Sequence, residues 1–133
     1  MNKKFYVPFE TAILLDKKGY PQSDSDMYYN PNGELKTQVE LIAGYKEDYP
    51  IMIKYYYVAP AYCEVLDWMI SKKIAVITIE MCEIMWNMRP IDEAGMSWCC
   101  NVRLNDTIVR TDDYNTRWEA INAAIIRALE ERI

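Results

Sequence analysis

The sequence predicts an α+β fold, an antiparallel sheet or sheets with three helices packed mainly on one face. Three observations predict it. Three segments carry apolar residues at helical spacing. The strand-like runs between them come in groups rather than alternating singly with helices, which argues against a doubly wound parallel sheet. Asn32-Gly33 and Asn105-Asp106 mark hairpin turns inside those groups.

The first helix is expected over about residues 8–18. Pro8 suits a first helical position, where a missing N–H costs nothing. Phe9, Ala12, Ile13 and either Leu15 or Leu14 follow at helical spacing. Lys17 and Lys18 complement the negative end of the dipole, and Gly19 can take the left-handed stop. Residues 21–26 are polar turn material. Tyr28-Tyr29 before the Asn32-Gly33 turn, and Leu35, Thr37 and Val39 alternating after it, predict a hairpin, with Pro31 trimming its first strand. Residues 40–50 read as a loop, and 51–57 as an aromatic strand.

Pro60 is expected to open the second helix, with Tyr62, Val65, Leu66 and Met69 on one stripe and Lys72-Lys73 at its end. Residues 74–88 form a long β-rich run that is apolar on both parities, so a strand covered on both sides or bulged near Glu80 is expected. Residues 89–95 read as a loop. Met96, Trp98, Cys100, Val102 and Leu104 then alternate with polar or small residues, the pattern of a half-buried strand. Two registers bring the apolar faces of this meander together. One sets Trp86 opposite Trp98, the other Cys82 opposite Cys100. The two-residue turn at 105–106 pairs Leu104 with Thr107 and Val102 with Val109. Thr116-Arg117-Trp118-Glu119 is a capping box that starts a last helix over about 116–131.

The second half therefore reads as a helix–β–β–β–helix two-layer sandwich. The 133 residues are expected to form a single domain. Halves 1–59 and 60–133 share a helix-then-strands order and a Lys-Lys helix end, weak duplication at most, for which convergent helix-ending chemistry is reason enough.

Composition narrows function by exclusion. A hydrophobic fraction of 51% and a charged fraction of 26% exclude a disordered chain. No apolar run approaches the ~20 residues that span a bilayer. The first residues lack a signal-peptide core, so a cytoplasmic location is expected. The net charge of −5 opposes adhesion to phosphate backbones and anionic membranes. There is no histidine, which removes the commonest general base and metal ligand. The four glycines are isolated, so no phosphate-cradling loop is present.

Cys63, Cys82, Cys99 and Cys100 lack paired metal-ligand spacing, and adjacent strand residues face opposite ways. They are expected to pack as small buried hydrophobes, with no metal and no cofactor implied. A reactive Cys99 would need a cation, for which Arg103 is the nearest on its parity. Among the carboxylates, Asp112-Asp113 complements a helix amino terminus and Asp92-Glu93 suits a solvated turn. Glu80, mid-strand, calls for a bulge or an opposing Arg103 or Arg110.

Three stretches carry a resemblance: residues 9–20 (FETAILLDKKGY), residues 57–68 (YVAPAYCEVLDW), and Trp118-Glu119-Ala120-Ile121 onward. In this order they resemble a family of small uncharacterised proteins common in phage and prophage regions of gut bacteria. The likeness departs at 36–54 and in the Trp and Cys content around 82–100. It implies provenance and fold. The family brings no established activity or site residue.

What remains is an aromatic and methionine load of 11 Tyr, 4 Trp and 8 Met, more than so short a chain needs to enclose. These residue types are enriched at protein interfaces. Tyr28, Tyr29, Tyr55, Tyr56, Tyr57, Trp86 and Trp98 are the interaction candidates, set against the simpler reading of a sheet core with hydroxyls at its rim. The expected function is a non-enzymatic protein-interaction module of phage or mobile-element origin, whose partner is a protein, with a further copy of itself as one option. A nucleic-acid-binding accessory protein, stacking bases on Tyr55–Tyr57, and a carboxylate-based hydrolase are the alternatives.

Overall fold

The computed structural model describes residues 5–22, 25–40, 56–83 and 96–131. Helices and antiparallel sheets are both present, so the fold is α+β. The chain divides into two compact units, Met1–Glu64 and Val65–Ile133.

In the first unit, helix α1 spans Phe9–Lys17. Pro8 is the residue before it rather than its first turn. Its ψ of 162° is extended, while its carbonyl already accepts the first helical bond, from Ala12 N at 2.9 Å. The stop is as the sequence reads. Gly19 takes φ +95°, its N–H donates to Asp16 O, and Tyr20 N donates to Leu15 O at 2.9 Å. These two bonds satisfy carbonyls that the helix end would otherwise orphan.

Strands β1 (Met27–Tyr29), β2 (Leu35–Thr37) and β3 (Tyr57–Val58) form an antiparallel sheet in the order β2-β1-β3. Tyr29 faces Leu35 across the hairpin, and Tyr28 faces Val58 on the other side. The turn is longer than Asn32-Gly33 alone. Asn30 Oδ1 accepts from Asn32 N and Glu34 N, and Gly33, at φ +83°, donates to Asn30 O. An asparagine before the turn thus organises it through its side chain.

The alternation expected through Val39 fails. Residues 38–40 are helical and Val39 is exposed. Thr37-Gln38-Val39-Glu40 is a second capping box, in which Glu40 N donates to Thr37 Oγ1 and Thr37 N donates to Glu40 Oε1. The loop expected over 40–50 therefore begins inside a helical turn at Glu40. Residues 41–55, with the expected start of the aromatic strand, lie outside the described residues.

Helix α2 spans Tyr62–Ser71, two residues after Pro60. Glu64 Oε1 accepts from Ala61 N, and Glu64 N donates to Ala61 O, so Ala61 and not Pro60 holds the entry. Pro60 is fully buried and its carbonyl accepts from Val7 N. At the other end Lys73 N donates to Ile70 O and Ile74 N to Met69 O, the same closing pair as in α1. Here a lysine holds the left-handed position, at φ +56°. Lys73→Gly is expected to stabilise the protein by about 0.5–1 kcal/mol in urea denaturation, because glycine adopts that φ without a Cβ clash.

The second unit carries β4 (Val76–Glu83), β5 (Met96–Leu104) and β6 (Thr107–Arg110), an antiparallel sheet in the order β4-β5-β6. The turn at 105–106 pairs Leu104 with Thr107 and Val102 with Val109, as the sequence reads. The β4–β5 register departs from both expected ones. Val76 faces Arg103, Ile79 faces Cys100, Glu80 faces Cys99 and Cys82 faces Ser97. Cys82 is not opposite Cys100, Trp98 faces Met81, and Trp86 lies outside the described residues with the rest of 84–95. Pairing runs without interruption from Val76 to Glu83, so Glu80 sits in a regular ladder and not in a bulge.

This register joins Ile77 and Ile79 with Cys100 and Val102 on one face, and Val76, Thr78 and Glu80 with Cys99, Asn101 and Arg103 on the other. Both parities of β4 are apolar, so side-chain pattern alone could not choose between the registers. Helix α3 (Arg117–Glu131) buries Ala120, Ile121, Ala124, Ile125, Ala128 and Leu129. The alanines let it approach the sheet on the Val102–Leu104–Val109 face. Its capping box holds, with Glu119 N donating to Thr116 Oγ1 at 3.2 Å and the hydroxyl donating to the Glu119 carboxylate. The helix-then-three-strands order recurs in the two units without a repeated topology: the first sheet centres its first strand, the second its second.

Candidate interaction surface

The tyrosines singled out from the sequence belong mostly to the core of the first unit. Tyr28, Tyr29 and Tyr56 are buried, and Tyr57 is half-buried against Phe9 at 5.9 Å between ring centroids. Tyr28, Tyr56 and Val58 pack together with Tyr20 against them. The Tyr29 hydroxyl donates to Val7 O at 2.6 Å, which satisfies its polar end inside the protein. None of these rings is a platform for a nucleobase or an open docking face. They hold α1 and the small sheet together. Tyr55 and Trp86 lie outside the described residues. Trp98, half-buried, is flanked by Tyr114, with which it exchanges two backbone hydrogen bonds of 2.8 Å.

Burial pushes the Tyr20 and Tyr62 phenols up to about 12. The carboxylate of Glu64 and then the Cys63 thiol add to the effect on Tyr20, as Tyr29 does for Tyr62. Burial, with Cys99 beside it, pushes the Cys100 thiol up to about 12 as well. In each case the folded state holds its proton more tightly than the unfolded chain. Stability is therefore full below pH 9 and is expected to fall between about pH 9 and pH 12, as the unfolded state releases protons that the native state retains. Denaturant titrations at pH 8, 10 and 11 check this; a midpoint unchanged over that range would contradict it.

Cys99 and Cys100 are buried, as the sequence reads, whereas Cys63 is exposed on α2. Glu80 is exposed, and its partner is neither Arg103 nor Arg110. Asn101 Nδ2 donates to Glu80 Oε1 at 2.8 Å, and Cys99 Sγ lies 4.0 Å from Oε2. Arg110 pairs instead with Asp113 at 3.8 Å. Asp112 and Asp113 are both exposed. Among the described residues no group of three or more Cys, Asp or Glu is placed to hold a metal ion.

The exposed apolar residues of the second unit lie elsewhere, on both faces of the sheet and on α2. Val76 is 43% exposed, Ile79 39%, Ile70 54% and Ile108 64%. Val76, Arg103 and Ile108 form one cross-strand row over the full width of the sheet. A shallow groove of about 220 Å³, lined in part by Ile70, Ala75, Val76 and Arg103, adjoins this row. On the opposite face, α3 and the sheet enclose a groove of about 460 Å³, where Lys72, Lys73 and Arg127 meet Glu131. Arg127 is already paired with Glu131 at 3.1 Å. The exposed row was open to sequence reasoning. The 105–106 turn puts Ile108 opposite Arg103, on the face whose β5 residues are polar.

Backbone direction completes the geometry. Trp98 N and O bond Tyr114, and Cys100 N and O bond Thr111, on the β6 side of β5. Backbone groups alternate along an antiparallel strand, so Cys99, Asn101 and Arg103 direct theirs toward β4. Their partners Glu80, Thr78 and Val76 use their N–H and C=O in the ladder. Ile77 and Ile79 therefore point theirs outward, along an edge of β4 that no other described strand occupies.

No protein-family model matches the chain, and no curated protein or solved structure does. No described helix is long and apolar enough to cross a membrane.

Proposed function

We propose that the protein is a small interaction module, of phage or mobile-element origin by the resemblance of its three motifs, and that it binds protein through the second unit's sheet. The β4 edge carries this reading. Native sheets blunt their edges with charged side chains, lysine above all, and with proline, bulges or shortness. Residues 76–81, Val-Ile-Thr-Ile-Glu-Met, contain no lysine and no proline, carry a single charge at Glu80, and sit in an unbroken ladder. Beside the edge lies the exposed Val76–Ile108 row, so main-chain pairing and apolar contact are offered together, the combination that strand-addition partners use.

The test is paired capture from cells that express the protein, comparing wild type with Val76→Asp/Ile108→Asp. Both side chains are exposed, so the variant is expected to fold, which circular dichroism checks. Proteins held by the wild type are expected to be lost from the variant. Identical capture by both would overturn the reading.

A further inference from the structure

We infer that the partner of the β4 edge is β4 of a second copy, added antiparallel to give one continuous six-stranded sheet. The inference rests on the interaction reading above and names its partner. Three features select a second copy.

The first is the backbone. A two-fold axis normal to the sheet must keep residues of one parity opposite each other, because their side chains share a face. With the axis at Thr78, Ile77 of one copy faces Ile79 of the other, and the reverse. These are the residues whose N–H and C=O point outward, so two close pairs form with four hydrogen bonds.

The second is charge. Glu80 and Arg103 lie on the same face of the sheet. Within one copy they are four residue steps apart along the strands, about 13 Å. Arg103 is exposed and has no carboxylate partner among the described residues. In the dimer Glu80 faces Val76 of the second copy, and Arg103 of that copy is the next residue in the row. Two strand spacings, roughly 10 Å between backbones, separate the two charges, within reach of a glutamate and an arginine extended toward each other. The symmetry makes this pair twice.

The third is what the register avoids. Moving the axis to Ile79 brings the two Glu80 side chains to a diagonal of roughly 7 Å, and moving it to Glu80 sets them face to face. Among the axes that use the outward amides, the one at Thr78 separates the like charges and also sets Glu80 in the row of the second copy's Arg103. Exposed Ile79 is covered by the same pairing.

Sedimentation velocity across roughly 1–200 μM, where contacts of this size are populated, tests the inference. Wild type is expected to pass from monomer to dimer. Ile79→Pro is expected to remain monomeric yet folded, because the N–H it removes points away from β5. Arg103→Glu is expected to weaken the dimer about tenfold, and Glu80→Arg/Arg103→Glu to restore it, since the swap rebuilds both pairs. The swap is independent of whether the proline variant folds. A wild type that stays monomeric overturns the self-pairing, as does a dimer indifferent to both Ile79→Pro and the charge changes. A monomer that still captures a cellular protein in an Ile79-dependent way assigns the edge to another protein's strand and leaves the interaction reading standing.

Discussion

Leu129→Ala is expected to lower the unfolding free energy by about 2–5 kcal/mol. Leu129 is fully buried in the last turns of α3, beside Ala124, Ile125 and Ala128. The stripe that faces the sheet is short of large side chains, so its alanines cannot swing in to fill the space a leucine leaves. The sheet is tied by pairing along its strands and cannot collapse to meet the helix. Cost then includes the cavity as well as the lost transfer energy. Glu130→Ala, one position away and exposed, is expected to change stability by no more than about 0.5 kcal/mol. Urea denaturation of the pair separates burial from helix propensity. Equal small effects would mean that α3 is not seated on the sheet as described.

Gly33→Val is expected to cost about 2–4 kcal/mol, from two separable sources. Its φ of +83° is one that a β-branched residue rarely adopts. A Cβ placed there would stand 3.0 Å from Phe9 Cδ2. The Phe9 ring is not free to retreat, since it packs on Tyr29 at 5.5 Å and Tyr57 at 5.9 Å. Gly19 supplies the control. It has a similar φ of +95° with nothing within 4 Å of the added Cβ, so Gly19→Val bears the backbone strain alone. The difference between the two variants measures how firmly the hairpin tip is held against α1.

Some parts of the fold were legible in the sequence and others were not. Gly19, the Asn32-Gly33 hairpin, the 105–106 turn and the Thr116–Glu119 box were, because each is a local device whose residues carry the mechanism. The Thr37–Glu40 box was equally legible, but the alternation of Leu35, Thr37 and Val39 masked it. The β4–β5 register was not legible. Its pairing is set by distant neighbours, and β4 offers an apolar residue on either parity. The tyrosines are a separate case. Tyr28, Tyr29 and Tyr56 read as surplus aromatics, yet a three-stranded sheet with α1 beside it absorbs them. The exposed apolar residues are Val76 and Ile108 on one face and Ile79 at the β4 edge of the other, ordinary strand residues whose position, rather than type, leaves them in solvent.

Residue-resolved amide hydrogen exchange tests the open β4 edge most directly. In dilute protein, Thr78 and Glu80 are expected to exchange slowly and Ile77 and Ile79 by orders of magnitude faster, since only the former donate into the ladder. At high concentration the isoleucine amides are expected to slow as the second copy covers them. Protection of Ile77 and Ile79 that is strong at every concentration would mean that the edge is already occupied within the chain, and the account of a working surface there would be wrong.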